Sequence, residues 1–304
     1  MNQFAPIILF VYNRLDHTTK TINALKENVL ADQSDLYIYA DAAKNVDSVH
    51  LVNNVRNYLP TITGFKSVTI RLRDKNLGVD ENTLLGVSEI INERGKVIVL
   101  EDDLVTSKWF LKFMNDGLDY YENSEDVIAI NGYTYPVKQK LKEAFFLKGA
   151  DCWGWATWKR GWNILEYDSK KLLTQITEKN LQTEFNFDNS YPYTEALAQQ
   201  AAGNTSHWDI RWYASAFING KLSLYPGQSL VNNIGHDASG THCGVSTTYD
   251  VSIAQSPINV KTEIEHDNEA YHAFVDFLKP DETIHKKKGW LSRTFKKLKS
   301  SLSK

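Results

Sequence analysis

The segment Val97 to Leu104, with the sequence VIVLEDDL, joins a continuous apolar run to three adjacent acidic residues. Such a run is typical of a parallel strand whose two faces are both covered. Neighbouring carboxylates repel one another, and a strand end tolerates them when a divalent cation or hydrogen-bond donors compensate their charge. The alternatives are a solvated acidic turn and the N-cap of a helix over 107–121. The segment therefore predicts a buried strand that ends at an acidic site.

The chain before this segment alternates between strand and helix patterns. We predict strands at 7–12, 36–40, 67–72 and 96–100, separated by helices at 16–28, 48–58 and 81–93. Asp16 is the expected N-cap of the first helix. This order implies an α/β fold with a doubly wound, mostly parallel, Rossmann-like sheet and helices on both faces.

Polar residues follow each of the four predicted strands, namely Asn13-Arg14, Asp41, the segment 73–78 and the triplet 101–103. Ligands of doubly wound sheets bind beyond the carboxyl ends of the strands. The four clusters are therefore expected to converge at one edge of the sheet.

The composition argues against a nucleic-acid-binding protein, a disulfide-stabilised protein and a protein that spans a membrane. The chain has 304 residues and a net charge of −3, which does not favour nucleic acid as a partner. Cys152 and Cys243 form no disulfide framework, so a reducing cytoplasm is the simpler expectation. The N-terminus resembles a buried strand more than a signal peptide, and no apolar stretch approaches the roughly 20 residues that span a bilayer.

The second half of the chain is less regular. We predict a helix at 109–121, a strand at 127–131, a helical region at 168–203, a helix at 207–219 and a loop at 235–244. The expected division is a catalytic domain over 1–250, with a donor half at 1–105 and an acceptor half at 106–250. A C-terminal extension at 251–284 and a basic tail at 285–304 follow.

VIVLEDDL resembles the metal-binding signature of GT-A type glycosyltransferases. The variant of this signature in which a Glu precedes two Asp is similar to that of N-acetylglucosaminyltransferase I and of bacterial inverting sugar transferases. The segment 6–14, PIILFVYNR, looks like the first strand of that family, in which the Arg corresponding to Arg14 lies near the nucleotide. The resemblance covers about residues 5–245 and implies a nucleotide-sugar donor and an inverting transfer.

The resemblance implies a donor site with Mn²⁺ or Mg²⁺. Asp103 would bind the metal directly, Asp102 would bind ribose or share the metal, and Glu101 would hold the sugar or a loop. Asp41 would accept a hydrogen bond from uracil, which favours a UDP-sugar. Arg73, Asn76 and Gly78 belong to a segment similar to the one that lines the donor pocket.

The resemblance also implies a catalytic base and an acceptor site. Asp209, in HWDIRW, corresponds to the base of the family; alternatively it caps a helix or pairs with Arg211. Trp208 and Trp155 are candidate acceptor contacts, although Trp residues at such spacing also occupy cores. Gly154 would permit close approach of the backbone to the donor sugar.

The segment 232–242, NNIGHDASGTH, resembles the family loop that closes over the diphosphate. His236 or His242 would donate to a phosphate, and His236, which is favoured, would also be a candidate metal ligand. The alternative is a polar surface loop with two incidental histidines.

The tail at 285–304 contains eight Lys or Arg residues and no acid. If it is helical, Leu291, Phe295, Leu298 and Leu302 fall within an arc of about 60°. It is expected to bind an anionic membrane surface on the inner face of the cell membrane, unless it is a solvated tail.

Together these observations predict a metal-dependent inverting glycosyltransferase that uses a glycan or lipid-linked acceptor in surface polysaccharide synthesis. The alternatives are a sugar nucleotidyltransferase and a non-catalytic carbohydrate-binding protein at the membrane surface. The segment Asn13 to Asp16 lacks the Gly-rich loop that a nucleotidyltransferase would normally carry there.

Overall fold

The computed structural model describes residues 4–240 and 245–279. His242, Cys243 and the basic tail at 285–304 lie outside the described residues. What the sequence indicates for them remains a prediction.

The described chain forms one eight-stranded sheet, a small two-stranded sheet and ten α-helices. The strands are β1 (Ile7–Val11), β2 (Asp35–Ala40), β3 (Ser67–Leu72), β4 (Lys96–Glu101), β5 (Leu104–Thr106), β6 (Val127–Asn131), β7 (Ala144–Lys148), β8 (Trp155–Trp158), β9 (Leu222–Pro226) and β10 (Val231–Asn233). The helices are α1 (Leu15–Lys26), α2 (Val46–Tyr58), α3 (Gly78–Arg94), α4 (Phe110–Tyr120), α5 (Lys159–Trp162), α6 (Ser169–Glu178), α7 (Gln182–Phe185), α8 (Tyr193–Ala201), α9 (Trp208–Ile218) and α10 (Asn268–Leu278).

The large sheet has the order β3-β2-β1-β4-β8-β6-β9-β7. The strands β3, β2, β1 and β4 are parallel, as are β6 and β9, whereas β8 runs antiparallel between β4 and β6 and β7 runs antiparallel to β9. The predicted α/β class with a doubly wound, mostly parallel sheet is confirmed. The small sheet pairs β5 with β10 and so fixes the chain that follows the acidic triplet.

Alternation along β1 divides its apolar side chains between the two faces of the sheet. Ile7 and Leu9 belong to a core cluster that includes side chains of α1, α2 and α4, whereas Ile8 and Phe10 pack in a cluster with side chains of α3, α5 and α9. The prediction of helices on both faces is therefore confirmed. A third apolar cluster lies around β7, α6 and α9, and α10 contributes Phe274 and Val275 to it.

Three helices begin earlier in the chain than predicted, and one of them is α2, which begins at Val46 rather than at 48. The α1 helix begins at Leu15, because the Arg14 carbonyl already accepts from the Thr18 amide. Asp16 is therefore not the N-cap; it lies in the first turn and pairs with Lys20 at 2.6 Å. The α3 helix begins at Gly78 rather than at 81, because the buried carboxylate of Asp41 accepts hydrogen bonds from the backbone amides of Leu77 and Gly78.

No helix of the described part of the chain is long and apolar enough to cross a bilayer.

Candidate active site

The acidic triplet and Arg14 meet at the carboxyl ends of β1 and β4. These strands are parallel neighbours, with Phe10 opposite Glu101, so the residues just beyond them are adjacent. One guanidinium nitrogen of Arg14 donates to Asp103 Oδ2 at 2.9 Å and forms a close ion pair with Asp102 Oδ1. The expected convergence of these two strand-end clusters is confirmed.

Each of the two aspartates retains an oxygen with no hydrogen-bond partner among the described residues. These atoms are Asp102 Oδ2 and Asp103 Oδ1, and both are buried. Because Mg²⁺ or Mn²⁺ bridging a diphosphate needs few protein oxygens, the two carboxylates fit such an ion. No group of three or more His, Cys, Asp or Glu in the described chain forms a ready metal site, so His236 does not join Asp102 and Asp103 in one.

Asp41 binds its own chain. Its carboxylate is buried and accepts from the backbone amides of Ala42, Leu77 and Gly78 and from Asn76 Nδ2, at 2.8–3.2 Å. These contacts occupy both oxygens and hold the start of α3. A hydrogen bond from uracil, which remains a prediction, would have to replace one of them.

The other predicted donor residues surround this segment. Asn76 Nδ2 also donates to the Ala42 carbonyl at 2.7 Å, and Gly78 has φ +72°, a conformation that favours glycine. Arg73 Nε donates to Asn82 at 2.8 Å, while its buried Nη2 has no partner in the described chain. Arg73 therefore has an unpartnered donor close to the Asp41 segment.

A cavity of about 610 Å³ opens beside the triplet. It is lined by Glu101 and Asp103 of the donor half and by Trp208, Asp209 and His236 of the acceptor half. The structure thus brings five of the predicted site residues to one space.

Asp209 lies in the first turn of α9, and its side chain is 44% exposed. Its carboxylate is 3.9 Å from Cys152 Sγ and 4.0 Å from His207 Nδ1. Arg211 does not pair with it, because Arg211 forms a bidentate ion pair with Asp80 at 2.6 Å. Desolvation in the cavity raises the pKa of Asp209, while the nearby His207 opposes that rise.

Asp151 is a cavity residue that the sequence analysis missed. One of its oxygens accepts from the backbone amides of Cys152 at 2.6 Å and Trp153 at 3.4 Å. Burial raises its pKa to about 6, and these amides oppose the rise. The available signal was an acid directly before an aromatic segment, which by itself does not distinguish a site from a surface turn.

The triplet carries more negative charge than its surroundings offset. Burial, followed by the charges of Asp103 and Asp209, raises the pKa of Glu101 to about 8. Burial also raises the pKa of Asp102 to about 6, although Arg14 acts in the opposite direction. A cation arriving at this site would find acidic side chains in a poorly solvated pocket and would favour their ionised forms.

The prediction that Trp155 contacts an acceptor is contradicted. Its side chain is 0% exposed because it lies on a central strand and packs against Trp162, Trp208 and Trp212. Trp208 is only 3% exposed, although it is one of the residues that line the cavity. The half-buried Trp153, two residues earlier, lines the cavity instead.

The interpretation of Gly154 also changes. Its φ is +71°, and a Cβ atom there would lie 2.8 Å from Val231 Cγ2 and 3.2 Å from Phe110 Cε2. The space beside the Gly154 Cα, where the resemblance implies close approach of the donor sugar, is therefore filled by core side chains. Glycine is required at this position for packing and for its backbone conformation.

His236 lines the cavity from the loop after β10. Its ring packs edge-on against Trp153 and stacks on Tyr249, with centroids 5.5 Å and 5.1 Å apart. Its Nε2 is buried without a described partner, so it is available to a ligand.

No protein-family model matches the chain, and neither does any curated protein. Among solved structures, S. aureus TarS residues 1–349 is 11% identical, with a TM-score of 0.41 and coverage of 74% of this chain and 59% of that one. The mannosyltransferase PcManGT of Pyrobaculum calidifontis, solved with GDP-Man and Mn²⁺, is 12% identical, with a TM-score of 0.30 and coverage of 43% and 36%. A UDP-glucose pyrophosphorylase solved with UDP-glucose is 10% identical, with a TM-score of 0.36 and coverage of 73% and 90%.

The chain spans about a third of the length of PcManGT and less than two thirds of that of TarS 1–349. The similar structures thus include a mannosyltransferase and a UDP-glucose pyrophosphorylase. Likeness this distant does not identify the reaction, which has to be inferred from the site.

Proposed function

We propose that the chain is a metal-dependent inverting glycosyltransferase that moves a sugar from a nucleotide diphosphate sugar, a UDP-sugar being favoured, to a carbohydrate acceptor. One observation carries this proposal. The buried, unpartnered oxygens of Asp102 and Asp103 lie at the carboxyl end of β4, next to a large cavity whose wall includes Asp209.

Asp102 and Asp103 would hold Mn²⁺ or Mg²⁺ together with the donor diphosphate. A bound divalent ion supplies Lewis-acid stabilisation of the charge that develops on the leaving nucleoside diphosphate. Arg14 positions the two carboxylates, and the free donors on Arg73 and His236 suit the nucleotide and its phosphates.

Asp209 is the proposed general base. An inverting transfer needs one carboxylate to take the proton of the acceptor hydroxyl while the glycosidic bond breaks. The carboxylate of Asp209 is open to the cavity, and desolvation raises its pKa, which makes it a better proton acceptor than an ordinary aspartate.

A nucleotidyltransferase is the competing function. The α1 helix begins at Leu15, four residues after β1 ends at Val11, which leaves little space for a phosphate-binding loop. The reaction products distinguish the two activities, because sugar transfer releases a nucleoside diphosphate and nucleotidyl transfer releases pyrophosphate.

The test is calorimetric titration with UDP-, GDP- and dTDP-sugars, with and without Mn²⁺, followed by product analysis. We expect cation-assisted binding of one donor and its loss in Asp103→Asn. Asp116→Asn, at an exposed pair with Lys112, is the matched control for loss of one carboxylate. Cation-independent binding, or the same affinity in Asp103→Asn, would overturn the proposal.

The proposal extends to the division of the chain and to its basic tail. Residues 1–250 would form the catalytic domain, 251–284 an extension, and 285–304 an anchor to anionic lipid on the inner face of the cell membrane, which suits a lipid-linked acceptor in surface polysaccharide synthesis. Deletion of 285–304 should abolish co-sedimentation with vesicles of phosphatidylcholine and phosphatidylglycerol and leave turnover of a soluble acceptor intact. Unchanged co-sedimentation would contradict the proposed anchor.

A further inference from the structure

The ionisable side chains that line the cavity are mainly acidic. Its lining includes four carboxyl side chains, those of Glu101, Asp103, Asp151 and Asp209, and none of the described lining residues is Lys or Arg. Glu101 and Asp103 belong to the proposed donor site, and Asp209 is the proposed base. Asp151 has no role in that scheme.

The negative charge of Asp151 has no cation beside it in the described chain. Arg14 compensates Asp102 and Asp103, whereas the hydrogen-bond donors to Asp151 are neutral groups, the amides of Cys152 and Trp153 and the Cys152 side chain. Neutral amides orient a carboxylate without cancelling its charge. The field in this part of the cavity therefore favours hydrogen-bond donors and cations and opposes anions.

Aromatic side chains form much of the remaining wall. Tyr135, Trp153, Tyr193 and Tyr225 all line the cavity. The three tyrosines line the same cavity as Asp151. Burial raises the pKa of each tyrosine, and the charge of Asp151 adds to the rise, so these hydroxyls remain protonated. The aromatic rings can pack against the apolar faces of a sugar, while the tyrosine O–H and tryptophan N–H groups can form hydrogen bonds with its hydroxyls.

We propose that this cavity binds the acceptor as a sugar without an anionic group, neutral or amine-bearing, and that Asp151 is the residue that determines this specificity. Asp151 would accept hydrogen bonds from acceptor hydroxyl or ammonium groups, and a carboxylate or phosphate on the same sugar would be repelled by Asp151 and Asp209. This proposal deepens the proposed function and rests on it.

The experiment is ligand-observed NMR of the full chain without donor, using three methyl glycosides of one stereochemistry: the glucoside, the 2-amino-2-deoxyglucoside and the glucuronide, with the galactose series in parallel. We expect the neutral or amino sugar of at least one series to bind at least tenfold more tightly than its uronic acid. Asp151→Asn should reduce that preference at least threefold, because it keeps the shape and removes the charge, while Asp116→Asn should leave it unchanged.

Equal or tighter binding of the uronic acids, binding of none of the six glycosides, or an unchanged preference in Asp151→Asn would each overturn the proposal. Donor binding, measured separately by calorimetry, identifies the source of a failure. A chain that prefers neutral sugars but binds no nucleotide sugar lacks the proposed activity and keeps the cavity preference, whereas a chain that binds donor and prefers uronic acids refutes the acceptor class alone.

Discussion

Arg14 and Asp103 join the two strands that carry the site, with a guanidinium nitrogen 2.9 Å from Asp103 Oδ2 at the ends of β1 and β4. The Arg14 side chain is 17% exposed and that of Asp103 is 12% exposed. Burial lowers the pKa of Arg14, but Asp102 and Asp103 together outweigh burial and raise it. The pair therefore holds two crowded carboxylates at the donor site.

Replacement of Arg14 by Gln should lower the free energy of unfolding by about 3 kcal/mol, because it leaves two buried carboxylates without their counter-charge. Urea denaturation measures the change. Arg71→Gln is the control, since Arg71 pairs with Glu89 at 3.8 Å and both side chains are nearly half exposed, so its loss should cost less than about 1 kcal/mol. Equal effects of the two substitutions would show that Arg14 does not stabilise the triplet.

Replacement of Asp209 by Asn should reduce kcat by a factor of about 10² to 10⁴, the usual contribution of a general base, and leave donor affinity unchanged. Turnover assays and calorimetry on the same preparation give the two quantities. Asp151→Asn is the comparison within the cavity, and we expect it to act mainly on acceptor KM. Full activity of Asp209→Asn would remove Asp209 as the base.

The sequence predicted the parallel half of the sheet because its strands are local apolar runs. The strands β3 and β6 have the predicted bounds, and β4 extends one residue further than predicted. The start of α3 was missed because it depends on Asp41, which is 37 residues from Gly78 in the chain. The insertion of β8 between β4 and β6 is likewise a long-range pairing.

The predictions for the site show the same difference between features set by local sequence and features set by long-range contacts. Strand-end polar residues such as Asp103 could be located, because strand topology alone places them at one edge. The choice between Trp153 and Trp155 could not be made, because it depends on which side chain the rest of the chain buries. Asp151 has only a weak local signal, an acid before an aromatic segment, because its significance comes from a cavity that is lined by residues of distant elements.

Trp153 and Trp155 should therefore respond differently to truncation. Trp155→Ala should destabilise the protein by about 3–5 kcal/mol, because it empties a fully buried site in the tryptophan cluster. Trp153→Ala should leave a folded protein with a higher acceptor KM, since this ring lines the cavity. Thermal unfolding and acceptor titration, applied to both variants, distinguish core from ligand contact. A stable Trp155→Ala variant with a raised acceptor KM would restore the original prediction.

Asp151 should make stability depend on pH. Burial raises its folded-state pKa to about 6, above its ordinary value of 3.8. Protonation therefore favours the folded state, and this contribution is full below pH 4 and is lost as the pH rises through 6. Relative to the wild type, Asp151→Asn should gain about 1–2 kcal/mol between pH 4 and pH 7, with the cavity water limiting the effect.

Urea denaturation of both proteins at half-unit pH steps measures this difference. Asn retains an oxygen that can accept from the amides of Cys152 and Trp153, so the substitution removes the charge and keeps the geometry. Asp116→Asn controls for the loss of one acidic group at the surface. A difference between wild type and Asp151→Asn that is constant across the range would contradict the raised pKa of this partly buried carboxylate.

Replacement of Gly154 by alanine should destabilise the protein. Alanine there would place its Cβ 2.8 Å from Val231 and would also adopt φ +71°, so we expect a loss of about 2–4 kcal/mol from overpacking and backbone strain together. Gly203 has φ +76°, and no described atom lies within 4 Å of the point that a Cβ would occupy, so Gly203→Ala isolates the backbone cost of about 1–2 kcal/mol. Chemical denaturation of the two variants gives the packing contribution by difference. The atoms that crowd this Cβ belong to Val231 and Phe110. Adding Val231→Ala to Gly154→Ala should therefore recover part of the lost free energy of unfolding. No recovery in the double variant would argue against the packing role and favour a ligand contact at Gly154.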